Sequence, residues 1–243
     1  MLDVLKSDFY KARRMTNFLI LTILAIIFPV FSAVGLRILE TGQDITVISF
    51  LESFKPPIHI FSSMFTVFFV VEEFKSGRLA AIVSSGVTRV DFFVSKMISS
   101  CCFAVFLFAV STIFAILVGV FSFRFGHVSK SFFTSLFSNF MTIIAWTCFS
   151  FTVSFLIRSA GSSLVFMYIF QGGITIFLFS LNAFLNYRFN ININLLNFWI
   201  FSALEYDLMK GVLIQLVWIL LMCSLALWSF IRRDIVSGAD RKI

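Results

Sequence analysis

The stretch MISSCCFAVFLFAVSTIFAILVGVF, residues 97–121, contains no charged side chain. A helix crosses the hydrocarbon core of a bilayer with about 20 predominantly apolar residues, and this run is longer than that. A transmembrane barrel would be written in short alternating strands instead. The run predicts a membrane-spanning helix, and the chain on either side repeats the pattern. Asn17–Leu36, Pro57–Phe74, Phe132–Ile157, Ser162–Leu185 and Leu208–Ile231 give five further candidate spans. The expected fold class is all-α: a polytopic membrane helical bundle of six transmembrane helices, one domain over residues 1–243.

Composition agrees. Apolar residues make up 60% of the chain and charged residues 13%, against about 45–50% and about 25% in soluble domains. No soluble core of this size hides so much apolar surface. The span Pro57–Phe74 is the shortest and ends on Glu72 and Glu73, carboxylates placed to reach the interface. Pro57 suits the first turn of a helix, where its missing N–H costs nothing. Pro29 is expected to kink the first span, as membranes tolerate.

A net charge of +7 raises the question of a nucleic-acid partner. The charges lie in short loops between apolar runs, so membrane topology explains them better. Of 19 Lys and Arg, six (Arg37, Lys55, Arg124, Lys130, Arg188 and Lys210) fall on the side opposite the N-terminus. The remaining majority share its side, which places both termini in the cytoplasm. The N-terminal apolar run is too long for a cleavable signal and reads as a retained span. The four cysteines, Cys101, Cys102, Cys148 and Cys223, all fall within candidate spans. That location predicts apolar packing, since a disulfide framework would occupy outer loops. The 36 phenylalanines are read as a lipid-facing surface combined with AT-rich coding.

Two cytoplasmic features carry a mechanism. Residues 1–16 predict an interfacial helix, with Leu2, Leu5, Phe9 and Ala12 on one face and Asp3, Lys6, Lys11 and Arg14 elsewhere. Its anchoring residues are Leu2, Leu5, Phe9, Lys11, Arg13 and Arg14. The second feature is residues 72–96, EEFKSGRLAAIVSSGVTRVDFFVSK. Leu79, Ile82, Val83 and Val87 recur at helical spacing. Ser76 can cap a start, and Gly86 stands where a left-handed terminating residue is wanted. Thr88 and Asp91 form a second capping pair that opens a new helix. The punctuation predicts a short separate helix over residues 77–85. Its apolar face needs cover, from lipid headgroups or from a partner with a groove.

The pattern Glu-Phe-Lys-x-Gly-Arg-Leu, then Ser-Gly-Val-Thr-Arg, then Phe-Phe-x-x-Lys resembles the loop between the second and third spans in small six-span ABC exporter permeases. The likeness extends to the interfacial elbow helix and the short tails. Within that group the chain is similar to permeases of bacterial peptide and bacteriocin exporters, including those for phenol-soluble modulins. The resemblance implies that residues 77–85 are a coupling helix docked on a separate ATP-binding subunit. Leu79, Ile82 and Val83 would enter the ATPase groove, Val87 would continue that face, and Arg78 and Arg89 would contact its rim. No phosphate-binding Gly-Lys-Ser/Thr loop is present here. ATP and Mg are therefore expected in the partner, with no cofactor and no metal in this chain. The resemblance further implies two ATPase copies, a second permease chain, identical or homologous, a peptide or other amphipathic substrate, and a bacterial plasma membrane.

Polar groups inside spans are candidate functional sites. Gln171, Gly172 and Gly173 in the fifth span read either as interhelical glue or as a substrate contact. Asn139, Thr142 and Gln215 share that ambiguity. Phe65, Phe68 and Phe69 read as ordinary packing, with an apolar substrate path or dimer interface as the alternative. The outer segment Leu195–Phe201 predicts an interfacial helix. Rival functions are a secondary transporter or self-immunity membrane protein without an ATPase, and an intramembrane protease. The first usually needs charged relays within spans, which the candidate spans lack. For the second, His127 falls on the side of the membrane opposite Glu72 and Glu73, too far for acid–base chemistry.

Overall fold

A computed structural model of the chain describes residues 2–39, 50, 56–76, 86–123, 130–170, 180 and 208–232. Seven helices account for nearly all of them: α1 (Leu2–Arg14), α2 (Thr16–Leu39), α3 (Pro56–Lys75), α4 (Arg89–Ser122), α5 (Lys130–Ile157), α6 (Ala160–Phe170) and α7 (Leu208–Arg232). The described residues contain no strand. The all-helical membrane bundle read from the sequence is the observed class.

Four helices are long and apolar enough to cross a bilayer: α2, α4, α5 and α7. Their outward faces explain why. On α2, Leu19, Ile20, Ile23, Leu24, Val30 and Phe31 are all exposed, and on α7 so are Leu213, Val217, Leu220 and Leu221. Apolar lanes of this kind are stable only against lipid. Helix α3 spans 20 residues but is diluted by His59, Ser62, Ser63 and its terminal glutamates. It is the central helix, with Phe65, Val67, Phe69, Val70 and Val71 all buried against neighbours on several sides. The fifth expected span is described only as far as Phe170, so Gln171, Gly172 and Gly173 lie outside the described residues, as does Leu195–Phe201.

Helix α4 has 34 residues, about 51 Å at ~1.5 Å per residue, against a hydrocarbon core of about 30 Å. It therefore begins well before the apolar run, and its first turns extend beyond the hydrocarbon layer. Thr88 caps it as the spacing predicts: its hydroxyl oxygen accepts from the Asp91 N–H at 3.0 Å and donates to Asp91 Oδ2 at 2.8 Å. Gly86, at φ +90°, holds the left-handed conformation expected of a terminating residue. The Ser76 hydroxyl donates back to the Glu73 carbonyl at 3.4 Å at the end of α3, and the helix it was expected to cap, residues 77–85, lies outside the described residues. Removing the Thr88 hydroxyl (Thr88→Ala) should lower stability by about 1 kcal/mol, read as a drop in thermal unfolding temperature.

Pro29 lies within the single helix α2, which continues on both sides of it. Many phenylalanines are core rather than lipid-facing, a correction to the compositional reading. Phe93, Phe151, Phe155 and Phe230 close one end of the bundle with ring centroids 4.6–6.3 Å apart. Phe18, Phe65, Phe69 and Phe103 form a second cluster that joins α2, α3 and α4. Such tilted and edge-on pairs add specific attraction to area burial. Without a strong hydrophobic drive between helices in lipid, packing of this kind must supply association. Polar glue is present too. Gln215 Nε2 donates to Thr142 Oγ1 at 2.9 Å, joining α7 to α5, and Thr152 Oγ1 reaches the Met222 carbonyl at 3.0 Å. Asn139 is half-buried on α5. Of the cysteines, Cys148 is buried, Cys101 and Cys223 are half-buried, and Cys102 is exposed. None forms a disulfide. Cys102 thus departs from the packing expected of all four, because it lies on the lipid-facing side of α4.

Candidate functional site

The end of the bundle where α1, α3 and α4 meet holds a chain of buried charges. Lys96, on the pre-membrane turns of α4, is only 1% exposed. Its ammonium lies 2.5 Å from Asp8 Oδ1 on α1 and 2.9 Å from Glu73 Oε1 on α3. Lys11, one helical turn beyond Asp8, reaches the same Glu73 oxygen at 2.7 Å and Glu72 Oε2 at 3.6 Å. Ser95 and Ser99 donate to Asp8 Oδ2, each at 3.4 Å. Beneath the ammonium stand the rings of Phe69 and Phe92, at 4.4 and 5.6 Å from their centroids. Three helices that are far apart in sequence are tied at one point.

Local sequence explains the arrangement. Residues three or four apart share a helix face, so Asp8, Lys11 and Ala12 point together from α1 into the bundle. Ser95 and Ser99 flank Lys96 on α4 in the same way. Glu72 and Glu73 end α3, where the chain leaves the membrane. Two buried carboxylates, Asp8 at 4% and Glu73 at 3% exposure, alternate with two ammonium groups, so no charge stands uncompensated. Burial pushes the Asp8 carboxyl above its ordinary range, and Lys96 opposes that rise. Isolated buried ions are costly, and pairing with hydrogen bonding makes them tolerable.

The sequence reading did not find this cluster. Asp8 falls on the buried face between Leu5 and Ala12, while Phe9 turns to the edge, 39% exposed, with its ring 5.0 Å from Phe103. Arg13 and Arg14 are exposed, Leu5 is half-buried, and the Leu2 side chain lies outside the described residues. Lys11, expected to anchor α1 at the interface, also serves as an internal partner of Glu73. The available signal was the opposite-sign pair Asp8 and Lys11, one turn apart on an amphipathic helix.

Of the six residues assigned to ATPase contact, Arg78, Leu79, Ile82 and Val83 lie outside the described residues. The other two turn to the bundle. Val87 packs on the cluster of Phe93, Phe151, Phe155 and Phe230, and Arg89 Nη1 donates to the Ile231 carbonyl near the end of α7 at 3.2 Å. Their contacts make them anchors for the end of the loop segment. Phe65 and Phe69 are fully buried within this chain, against Phe18 and Phe103, whereas Phe68 is half-buried.

Residues 77–85 are thus flanked by residues tied to the bundle: buried Glu73 before them, and half-buried Val87 and Arg89 after them. An all-helical membrane bundle with a short amphipathic helix clamped to one end by buried charges is the class the fold defines. The family model for ABC-2 family transporter proteins matches residues 4–182, well over half of the chain, and the chain belongs to that family. The match spans every member of the charge cluster and the whole loop. No curated protein matches the chain. Family membership makes the protein an ABC transporter permease subunit and implies an ATP-binding partner.

Proposed function

We propose that this permease crosses the plasma membrane six times with both termini cytoplasmic, and exports an amphipathic substrate, a peptide in the first instance. It acts with a second permease chain and two copies of an ATP-binding subunit that supplies ATP, Mg and hydrolysis. The chain itself carries no catalytic role in this reading. Residues 77–85 are the coupling helix, with Leu79, Ile82 and Val83 entering a groove of the ATPase and Arg78 at its rim. Val87 and Arg89 hold the segment to the bundle.

The observation that carries this reading is the Asp8–Lys96–Glu73–Lys11 cluster at the root of the loop. A push on the loop would reach α1, α3 and α4 together, because one ammonium ties all three. Rigid networks with few internal joints transmit displacement in this way. Helix α3, as the central helix, would then carry the motion to α2 and α5. Gln171, Gly172 and Gly173 are retained as candidates for the substrate path or the interface with the second permease, and Phe68 as the more accessible member of its trio.

The test is purification from membranes under mild detergent. The chain should co-purify with a subunit bearing a phosphate-binding loop, and the complex should hydrolyse ATP and move an amphipathic peptide into vesicles. A chain that purifies alone and transports in the absence of nucleotide contradicts the proposal.

A further inference from the structure

Where α1 turns into α2 the surface opens into a cleft of about 600 Å³, lined by Ser7, Tyr10, Lys11, Arg14, Thr16 and Glu72. Cavities of this order hold small polar ligands. Arg14 is exposed, its guanidinium rests over the Tyr10 ring at 4.3 Å, and no carboxylate among the described residues pairs with it. The opposite wall carries Glu72, whose charge is partly met by Lys11 at 3.6 Å. Directly beyond the cleft, toward the bilayer, α2 presents Leu19, Ile20, Ile23 and Leu24, all exposed. A polar recess thus opens onto an apolar lane at the level where headgroups give way to acyl chains.

We propose that this cleft binds the phosphodiester headgroup of an anionic glycerophospholipid, with its acyl chains along the exposed lane of α2. Arg14 would take the phosphate oxygens in a bidentate fork, the geometry in which guanidinium excels. Ser7, Tyr10 and Thr16 offer hydroxyl donors to the same group. Glu72 would accept hydrogen bonds from headgroup hydroxyls. Its charge would repel free inorganic phosphate, a mixture of monoanion and dianion at neutral pH, more than a singly charged diester. The apolar lane is the second discriminator, since a free ion would gain nothing from it. Because Lys11 lines the cleft and also pairs with Glu73, an occupied cleft would brace α1 against the charge cluster from the membrane side.

Native mass spectrometry of the chain purified with its partners would test this, with phosphatidylglycerol, phosphatidylcholine and inorganic phosphate as separate probes. Retained phosphatidylglycerol should exceed phosphatidylcholine, and millimolar inorganic phosphate should not displace it. Arg14→Gln should lower its occupancy about five-fold, the effect of one interfacial cation. Arg13→Gln, on the same helix but outside the cleft lining, should lower it distinctly less, since it supplies only diffuse attraction to the anionic surface. Arg14 is exposed, so thermal unfolding of the variant should match the parent. Equal retention of both lipids, an unchanged Arg14→Gln, or equal losses in the Arg13 and Arg14 variants would each overturn the site. Displacement by inorganic phosphate would assign the cleft to a free ion and overturn the lipid.

Discussion

Replacing Lys96 with Met should loosen α1 from the bundle and cost about 3–5 kcal/mol of stability, the range for stripping one partner from a buried ion cluster. The methionine fills nearly the same volume, so the loss would be electrostatic rather than a cavity effect. Asp8 and Glu73 would be left facing each other with Lys11 as the remaining cation. Trypsin sites in α1 at Lys11, Arg13 and Arg14 should become much more accessible, and ATP-driven transport should fall with them. Asp8→Asn should be mild by comparison. The sign follows from linkage. Burial raises the Asp8 carboxyl's pKa in the docked state, so its contribution to docking is fullest below the ordinary carboxylate pKa. That contribution fades as pH rises through the raised value. The charged carboxylate carries the desolvation cost, offset by Lys96, Ser95 and Ser99, and an amide removes that cost. Combining Lys96→Met with Asp8→Asn should recover part of the single-variant loss, whereas additive losses would contradict a shared network.

The second large effect is expected in the loop. Ile82→Asp or Val83→Asp would place a carboxylate in an apolar groove of the ATP-binding partner. An unpaired buried charge of this kind costs several kcal/mol, enough to abolish docking or to uncouple hydrolysis from transport. The spans should be untouched, because both substitutions fall outside the apolar runs that cross the membrane. The variants should therefore insert, fold and unfold thermally like the parent while transport is lost. Normal ATP-driven transport in either variant would remove these residues from the coupling role. The contrast with Lys96→Met is informative, since that variant loses stability and transport together.

Helix positions were legible in the sequence because lipid imposes a crude and strict rule on composition. Asn17–Leu36 and Pro57–Phe74 were extended by only a few residues, to Thr16–Leu39 and Pro56–Lys75. The apolar run from Met97 marked where lipid begins, whereas the Thr88–Asp91 cap marked where the helix begins, one full cytoplasmic segment earlier. Both signals are local, and both were readable. The charge cluster was not, because its bonded partners on different helices lie 23 to 91 residues apart. A lysine at the foot of a span reads as a topology signal, and a glutamate at the end of one reads as an interfacial group. Only the packing of α1 across α4 converts them into an internal network. The phenylalanines failed as lipid-facing markers for the same reason: a ring on a helix face carries no record of whether lipid or another ring covers it.

The central claim is that residues 77–85 are gripped by an ATP-binding partner and that the grip is felt through the Lys96 cluster. Photo-crosslinking from position 82 in intact membranes tests it most directly. A benzophenone side chain replacing Ile82 should form an adduct with the ATP-binding subunit, identified by its phosphate-binding loop, and the yield should change with nucleotide state. The same probe at Leu220, on the lipid-facing side of α7, should give none. An adduct at position 82 with lipid alone, in cells where transport proceeds, would contradict the account.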